Sequence, residues 1–188
     1  MAISIVASCK DEVKNVVTNS TDPETTPTIL TTDITTLVSD SGVTKYRITS
    51  PRWDIYDESK TPCWKFPKGL FLEQFDTTLN IEATFRCDSA VYLKNAKLWH
   101  FMGNVRSSNV RDEKFFTNEL YWSQNDKKVY SDSFIHIERP DRVLEGYGFT
   151  SNERLTTYTL KRPMGIFPTE EFNKKSKGDS TIITTNEE

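Results

Sequence analysis

Between Ile34 and Pro168, apolar and polar residues alternate with a period of two. The clearest run spans 78–87. Leu79, Ile81, Ala83, Phe85 and Cys87 fall on one side, and Thr78, Asn80, Glu82, Thr84 and Arg86 on the other. A helix would scatter these residues around its circumference, whereas a half-buried strand sorts them onto two faces. The same pattern predicts strands over 35–39 and 43–50, paired across the turn Asp40-Ser41-Gly42. Trp53 and Ile55 alternate with Asp54. Further strands are expected over 97–106, 115–122, 133–139, 143–150 and 155–160. In the first of these, Trp99, Phe101, Gly103 and Val105 share a face. Leu120 and Trp122 are placed inward in the second, Ile135 and Ile137 in the third. Turn clusters at 123–127 and at Pro140-Asp141 separate them. No amphipathic helix interrupts the series. The expectation is an all-β antiparallel fold: a sandwich, jelly roll or barrel.

A weak internal similarity narrows that choice. Residues 91–99 (VYLKNAKLW) resemble 120–130 (LYWSQNDKKVY). Each is a strand, a polar turn with Asn and Lys, and an apolar–aromatic pair. Each leads to a glycine-bearing strand, at Gly103 and at Gly146 and Gly148. Repeated hairpins that stack fit an elongated β architecture better than a closed barrel. Glycine inside a strand is costly, so these three mark bulges or close backbone approaches.

The two ends break the pattern. Residues 1–9 are small and apolar up to Cys9, after which the chain turns polar. Val6-Ala7-Ser8-Cys9 resembles a lipobox, which makes 1–9 a lipoprotein signal remnant and Cys9 a lipidation site. The basic, longer apolar stretch of a full secretory signal is not present upstream. Residues 10–33 are rich in Thr, Asn, Asp and Pro and read as a flexible tether. Residues 34–168 form the folded domain, and 169–188 read as a disordered polar tail.

Composition then excludes whole classes. The 188 residues suit one domain with tails. Hydrophobic residues make up 36% and aromatics 12%. That apolar share is low for a compact globule. A net charge of −3 lacks the basic footprint of a nucleic-acid binder. No run of about 18 apolar residues offers a membrane-spanning helix.

Candidate chemistry is sparse. The cysteines are Cys9, Cys63 and Cys87, and the histidines His100 and His136. No spacing suggests a metal site. Cys87 lies on an apolar face and reads as a small buried hydrophobe, with a Cys63–Cys87 disulfide as the alternative. Glu73, Asp76 and Glu82 could supply the paired carboxylates of a jelly-roll glycosidase. Glu82 has no acidic partner in its strand, so a solvated face is the expectation. His100 and His136 read as ordinary sheet residues. No nucleophile elbow or phosphate-binding glycine loop is present, and no enzyme or cofactor is expected.

Five stretches carry a resemblance. Residues 88–105 (DSAVYLKNAKLWHFMGNV) end in an aromatic strand closing G-N-V. Residues 116–122 (FTNELYW) and 143–149 (VLEGYGF) follow, then 155–160 (LTTYTL) and Gly165-Ile166-Phe167. In order and spacing they resemble the lipopolysaccharide-transport β-jellyroll family, which includes LptA- and OstA-like domains, and within it the membrane-anchored LptC branch. The resemblance covers roughly 35–168. It implies a twisted antiparallel β-jellyroll of stacked hairpins with an apolar interior groove. It also implies a non-enzymatic role. The domain would receive lipopolysaccharide from an inner-membrane ABC transporter (LptB/LptF/LptG-like) and pass it to an LptA-like periplasmic bridge. Location at the periplasmic face of the inner membrane follows, with Cys9 replacing a transmembrane helix as anchor.

On that reading the groove candidates are Leu79, Ile81, Ala83, Phe85, Trp99, Phe101, Val105, Leu120, Trp122, Ile135 and Ile137. The first strands, 34–50, would meet the transporter, and the last, 155–167, the bridge. The competing expectation is a tethered carbohydrate-binding or surface-exposed β-sandwich lipoprotein. It would place the aromatics on an exposed planar platform instead of an interior stripe.

Overall fold

The computed structural model describes residues 22–168. Cys9, the first half of the expected tether (10–21) and the tail 169–188 lie outside the described residues. The strands are β1 (Ile29–Asp40), β2 (Val43–Tyr56), β3 (Cys63–Phe66), β4 (Leu70–Phe75), β5 (Ile81–Cys87) and β6 (Ser89–Leu93). They continue with β7 (Leu98–Asn109), β8 (Lys114–Ser123), β9 (Lys128–Glu138), β10 (Arg142–Asn152) and β11 (Tyr158–Pro168). All eleven belong to one antiparallel sheet, a β-jellyroll. Among the described residues no helix is long and apolar enough to cross a membrane. β1 begins at Ile29, five residues before the expected domain start.

The register reveals a simple path. Cys63 pairs with Leu93 and Phe66 with Ala90, while Leu70 pairs with Cys87 and Gln74 with Ala83. So β3 and β4 are two halves of one long strand, and β5 and β6 two halves of the next. The chain is a meander of long strands, each hairpinned to the one before it.

Every long strand is interrupted near its middle. The ladder shifts between Met102 and Val105, between Thr117 and Tyr121, between Tyr147 and Phe149, and between Glu145 and Gly146. Asp88 separates β5 from β6, and 67–69 separate β3 from β4. In β1, Asp33 takes a left-handed φ of 51°. These breaks line up across the sheet. At several of them the inward side changes parity: Ala83, Phe85 and Cys87 before Asp88 give way to Ala90 and Tyr92 after it. An extra residue in a strand does this, because side chains alternate with a period of two.

The sheet therefore folds over along this line into two layers. Layer A holds the second half of β1, the first half of β2, β4, β5, and residues 105–109, 114–117, 134–138 and 142–147. Layer B holds 52–56, β3, β6, and residues 98–102, 120–123, 128–131, 149–152 and 158–160. Ring contacts show the layers face to face. Tyr46 of layer A lies 5.4 Å from Trp122 of layer B, although several strands separate them in the sheet. Phe85 stacks at 5.2 Å on Phe101 and 5.5 Å from Trp122. Phe115 lies 5.6 Å from Phe149 and 5.3 Å from Tyr158.

The bend frees backbone groups in a dry place, and short polar side chains take them up. Ser50 Oγ donates to the Gly69 carbonyl (2.6 Å), Thr117 Oγ1 to Phe134 (2.7 Å) and Ser131 Oγ to Glu119 (2.6 Å). Asn104 Nδ2 donates to Asp88 Oδ2 at 2.6 Å. Gly103 takes φ +74°, a region open to glycine, and Gly148 is its counterpart in β10. Gly146 serves a close approach instead. A Cβ there would stand 2.5 Å from the Arg162 carbonyl oxygen.

Cys63 and Cys87 are free, buried thiols, so no disulfide joins them. They sit on opposite sides of the bend, opposite Leu93 and Leu70. Burial pushes the Cys87 thiol up to about 12 and raises that of Cys63. Several strands run longer than expected, and two expected strand starts fall in turns instead. Leu79 lies in the 76–80 turn with φ 65°, because Asp76 caps that turn through the Thr78 and Asn80 amides. Leu155 lies in the β10–β11 turn with φ 56° and is fully buried, so the last strand starts at Tyr158.

Gly146→Ala is expected to cost about 1–3 kcal/mol, the range for overpacking a filled site. It must push β11 off β10. Amide exchange in 158–168 should accelerate more than in 81–109. Uniform acceleration would contradict a local effect.

Candidate functional site

The apolar interior holds most of the expected groove residues. Ala83, Phe85, Trp99, Phe101, Val105, Leu120, Trp122, Ile135 and Ile137 are each at most 1% exposed and belong to one core cluster. They come from both layers and touch ring against ring. Leu79 and Ile81 do not join them, at 61% and 44% exposed. Ile81 has the inward parity but sits at the strand end, beyond the cover of layer B. The expected strand began too early, and its first two apolar residues fall outside the enclosed region.

Space between the layers survives at one end. A pocket of about 500 Å3 opens between Val38, Asp40, Lys45 and Tyr46 of layer A and Trp64, Tyr92 and Trp99 of layer B, with Lys97, Gln124, Asn125, Lys127 and Glu153 on its rim. Its floor is a linked set of rings. Trp64 lies 5.0 Å from Tyr92 and 6.4 Å from Trp99, and Tyr92 lies 4.6 Å from Trp99. Trp53 extends this shelf, 5.0 Å from Trp64.

One side chain spans the mouth. Tyr92 Oη donates to Gln124 Oε1 at 2.9 Å, and Gln124 Nε2 donates to Tyr46 Oη at 3.0 Å. Tyr46 belongs to layer A, and Gln124 sits in the β8–β9 turn of layer B. Burial, helped by the charge of Glu153, pushes the Tyr46 hydroxyl up to about 12. It therefore stays neutral at physiological pH and does not repel the carboxylate.

The other flank is closed more heavily. Glu113, 2% exposed, accepts from Asn109 Nδ2 (2.6 Å) and Tyr158 Oη (3.3 Å) and forms an ion pair with Arg139 (3.2 Å). Asn109 Nδ2 also donates to the Leu155 carbonyl at 2.7 Å, tying the β7–β8 turn to the β10–β11 turn. Arg154 pairs with Glu82 of layer A at 3.0 Å. Removing one partner of a buried charge is expensive, so this side is the firm one.

The carboxylates weighed for hydrolysis all have local partners. Glu73 is held by Arg47 through two hydrogen bonds, Glu82 by Arg154, and Asp76 caps its turn. Hydrogen bonds from the Asn80 and Thr78 groups pull the Asp76 carboxyl down to about 2. Among the described residues no cluster of His, Cys, Asp or Glu could hold a metal. His100 bonds Glu119 at 2.8 Å, and His136 bonds Glu145 at 2.8 Å. On the outer face His100, Tyr121 and Tyr130 stack at 4.3 Å and 5.3 Å, with interplanar angles of 12° and 14°. Each ring covers its neighbour's face, so the row does not form the planar platform expected of a sugar-binding surface.

Sequence reasoning missed β3 and β4 and with them Trp64, Phe66, Leu70 and Leu72. Pro62, Pro67 and Gly69 punctuate that stretch and read as loop. The alternation in 70–75 was the available signal. It also missed Tyr46, Tyr92 and Gln124, whose roles exist only once the layers meet.

Replacing Gln124 with Ala removes both bonds across the mouth. The expected cost is about 1–2 kcal/mol, two part-buried hydrogen bonds at about 1 kcal/mol each or less. Acrylamide should then quench tryptophan fluorescence more strongly while the far-ultraviolet spectrum stays unchanged. Unchanged quenching would show that Gln124 does not hold the mouth.

A family model described as "Lipopolysaccharide-assembly, LptC-related" matches residues 1–163. No curated protein gives a significant match.

Proposed function

The chain belongs to the LptC-related family of lipopolysaccharide assembly, and we propose from this premise that it is a carrier in lipopolysaccharide transport. It takes the lipid from an inner-membrane ABC transporter of the LptB/LptF/LptG kind and hands it to an LptA-like bridge at the periplasmic face. The single observation that supports a carrier is the apolar interior between two sheet layers, opening at an aromatic mouth. An acyl chain in water costs about 0.8 kcal/mol per exposed methylene. A protein that moves it must offer apolar cover throughout. In the closed state the rings of the two layers cover one another. A guest takes their place as the layers part, and the Gln124 bridge is the lighter of the two closures.

The handover uses the sheet edges. Among the described residues β1 pairs only with β2, and β11 only with β10. β1 exposes Ile29, Leu30 and Leu37, and β11 exposes Met164 and Ile166. Such edges accept a partner's strand, with apolar side chains fixing its register. We assign the β1 edge to the transporter and the β11 edge to the bridge. A lipid on Cys9 would hold the domain at the membrane.

A photo-crosslinking residue at Tyr92, Trp99 or Trp122 should capture lipopolysaccharide only while the transporter hydrolyses ATP. Ile166→Asp should leave that adduct in place and abolish its passage to the bridge protein. Failure to form adducts at all three positions sinks the carrier reading. Mass spectrometry of the protein from its native membrane should show a diacylglyceryl-modified Cys9, and an unmodified thiol there removes the lipid anchor.

A further inference from the structure

The mouth carries more chemistry than an apolar passage requires. Three lysines, Lys45, Lys97 and Lys127, line it. None of them makes an ion pair with a carboxylate among the described residues; the charged contacts of the molecule go elsewhere. Two carboxylates share the pocket. Asp40 accepts a hydrogen bond from Ser41, and Glu153 accepts one from Trp122 Nε1. The lysines therefore outnumber the acids and remain available.

A second observation points the same way. The indole N–H of Trp99, 1% exposed on the pocket floor, is buried and donates to nothing. A buried donor without a partner is uncommon in folded proteins. Trp99 lines this pocket, and Trp53, beside it on the ring shelf, leaves its own buried indole N–H equally unpaired.

Adjacent hairpins bring two of the lysines together. Lys97 ends the 94–97 turn and Lys127 the 124–127 turn, and the Gln124 amide bonds the Lys97 carbonyl at 3.0 Å. Both lysines sit at left-handed φ, 48° and 53°. Glycine occupies such positions without strain. That geometry recurs at Leu79, Asp112 and Leu155, so it is a property of the turns and not itself a sign of binding. It does allow charge and fold to be tested separately.

We propose that this mouth is a phosphate-recognising headgroup site. Lys45, Lys97 and Lys127 hold the phosphate of a phosphorylated, acylated sugar. The sugar lies on the Trp64–Tyr92–Trp99 floor, the Trp99 N–H donates to it, and the acyl chains run inward past Trp99. The inference rests on the carrier reading and adds the chemical class that the mouth selects. A pocket of this size falls within the range of about 300–1,000 Å3 that small-molecule ligands occupy.

The test uses the full chain and three probes: bisphosphorylated lipid A, the same lipid with its phosphates removed, and glucosamine 1-phosphate without acyl chains. Lys97→Glu/Lys127→Glu should weaken binding of the phosphorylated lipid by tenfold or more and leave the dephosphorylated lipid unaffected. Lys97→Gly/Lys127→Gly should also weaken it, while the melting temperature holds or rises because the turn strain is relieved. That combination rules out misfolding as the cause. Equal binding of both lipids, untouched by either variant, overturns the headgroup site and leaves the carrier reading standing. Binding of glucosamine 1-phosphate as tight as that of the lipid overturns the lipid as occupant in favour of a soluble phosphate. No binding of either lipid overturns both.

Discussion

The structure depends on how its backbone is satisfied along one line. A long antiparallel sheet can fold back on itself only if every strand breaks its ladder at the same level. Each break leaves amide or carbonyl groups inside the fold, where an unpaired group costs as much as a lost hydrogen bond. Ser50, Thr117 and Ser131 supply hydroxyls at these points, and Asp88 and Asn104 bond across another. Gly103 and Gly148 allow the backbone angles. Without these residues the flat sheet would leave one apolar face in water. With them, Phe85 meets Phe101, and Tyr46 meets Trp122.

Folding over in this way makes closure unequal around the interior. The turns at 109–113 and 153–157 interlock through a buried carboxylate and Leu155. The opposite flank meets through the Tyr46–Gln124–Tyr92 chain. Two neutral hydrogen bonds are worth about 1 kcal/mol each, less than a paired buried charge. On the carrier reading proposed above, the interior parts on the lighter side while the other acts as a hinge. The half-covered rings Trp53, Trp64 and Tyr92 lie on that lighter side. A carrier needs such an arrangement, since a guest must come and go without unfolding the domain.

Particular elements show what was legible beforehand. The alternation in 81–87 gave the strand, its inward side and the burial of Ala83, Phe85 and Cys87. The pairing of β1 with β2 was readable from the Asp40-Ser41-Gly42 turn. Leu79 and Leu155 misled, because tight turns took left-handed residues that carried apolar side chains. β3 and β4 were hidden by Pro62, in the turn that leads into β3, and by Pro67 and Gly69 at the bend, none of which ends the sheet. The three conspicuous glycines had two different uses, φ freedom at Gly103 and Gly148 and a close approach at Gly146.

The sequence by itself determined the strands, their inward faces and the all-β class, because side-chain alternation is a local property with a fixed period. It also carried the family, whose model matches residues 1–163. Only the tertiary structure decided where the interior opens and what stands at its rim. Lys45, Lys97 and Lys127 lie far apart in sequence, on separate turns or strands. Tyr46 and Gln124 meet only after the sheet has folded onto itself. No periodicity records such meetings, since they arise from where the bend falls and how far twist offsets one layer from the other.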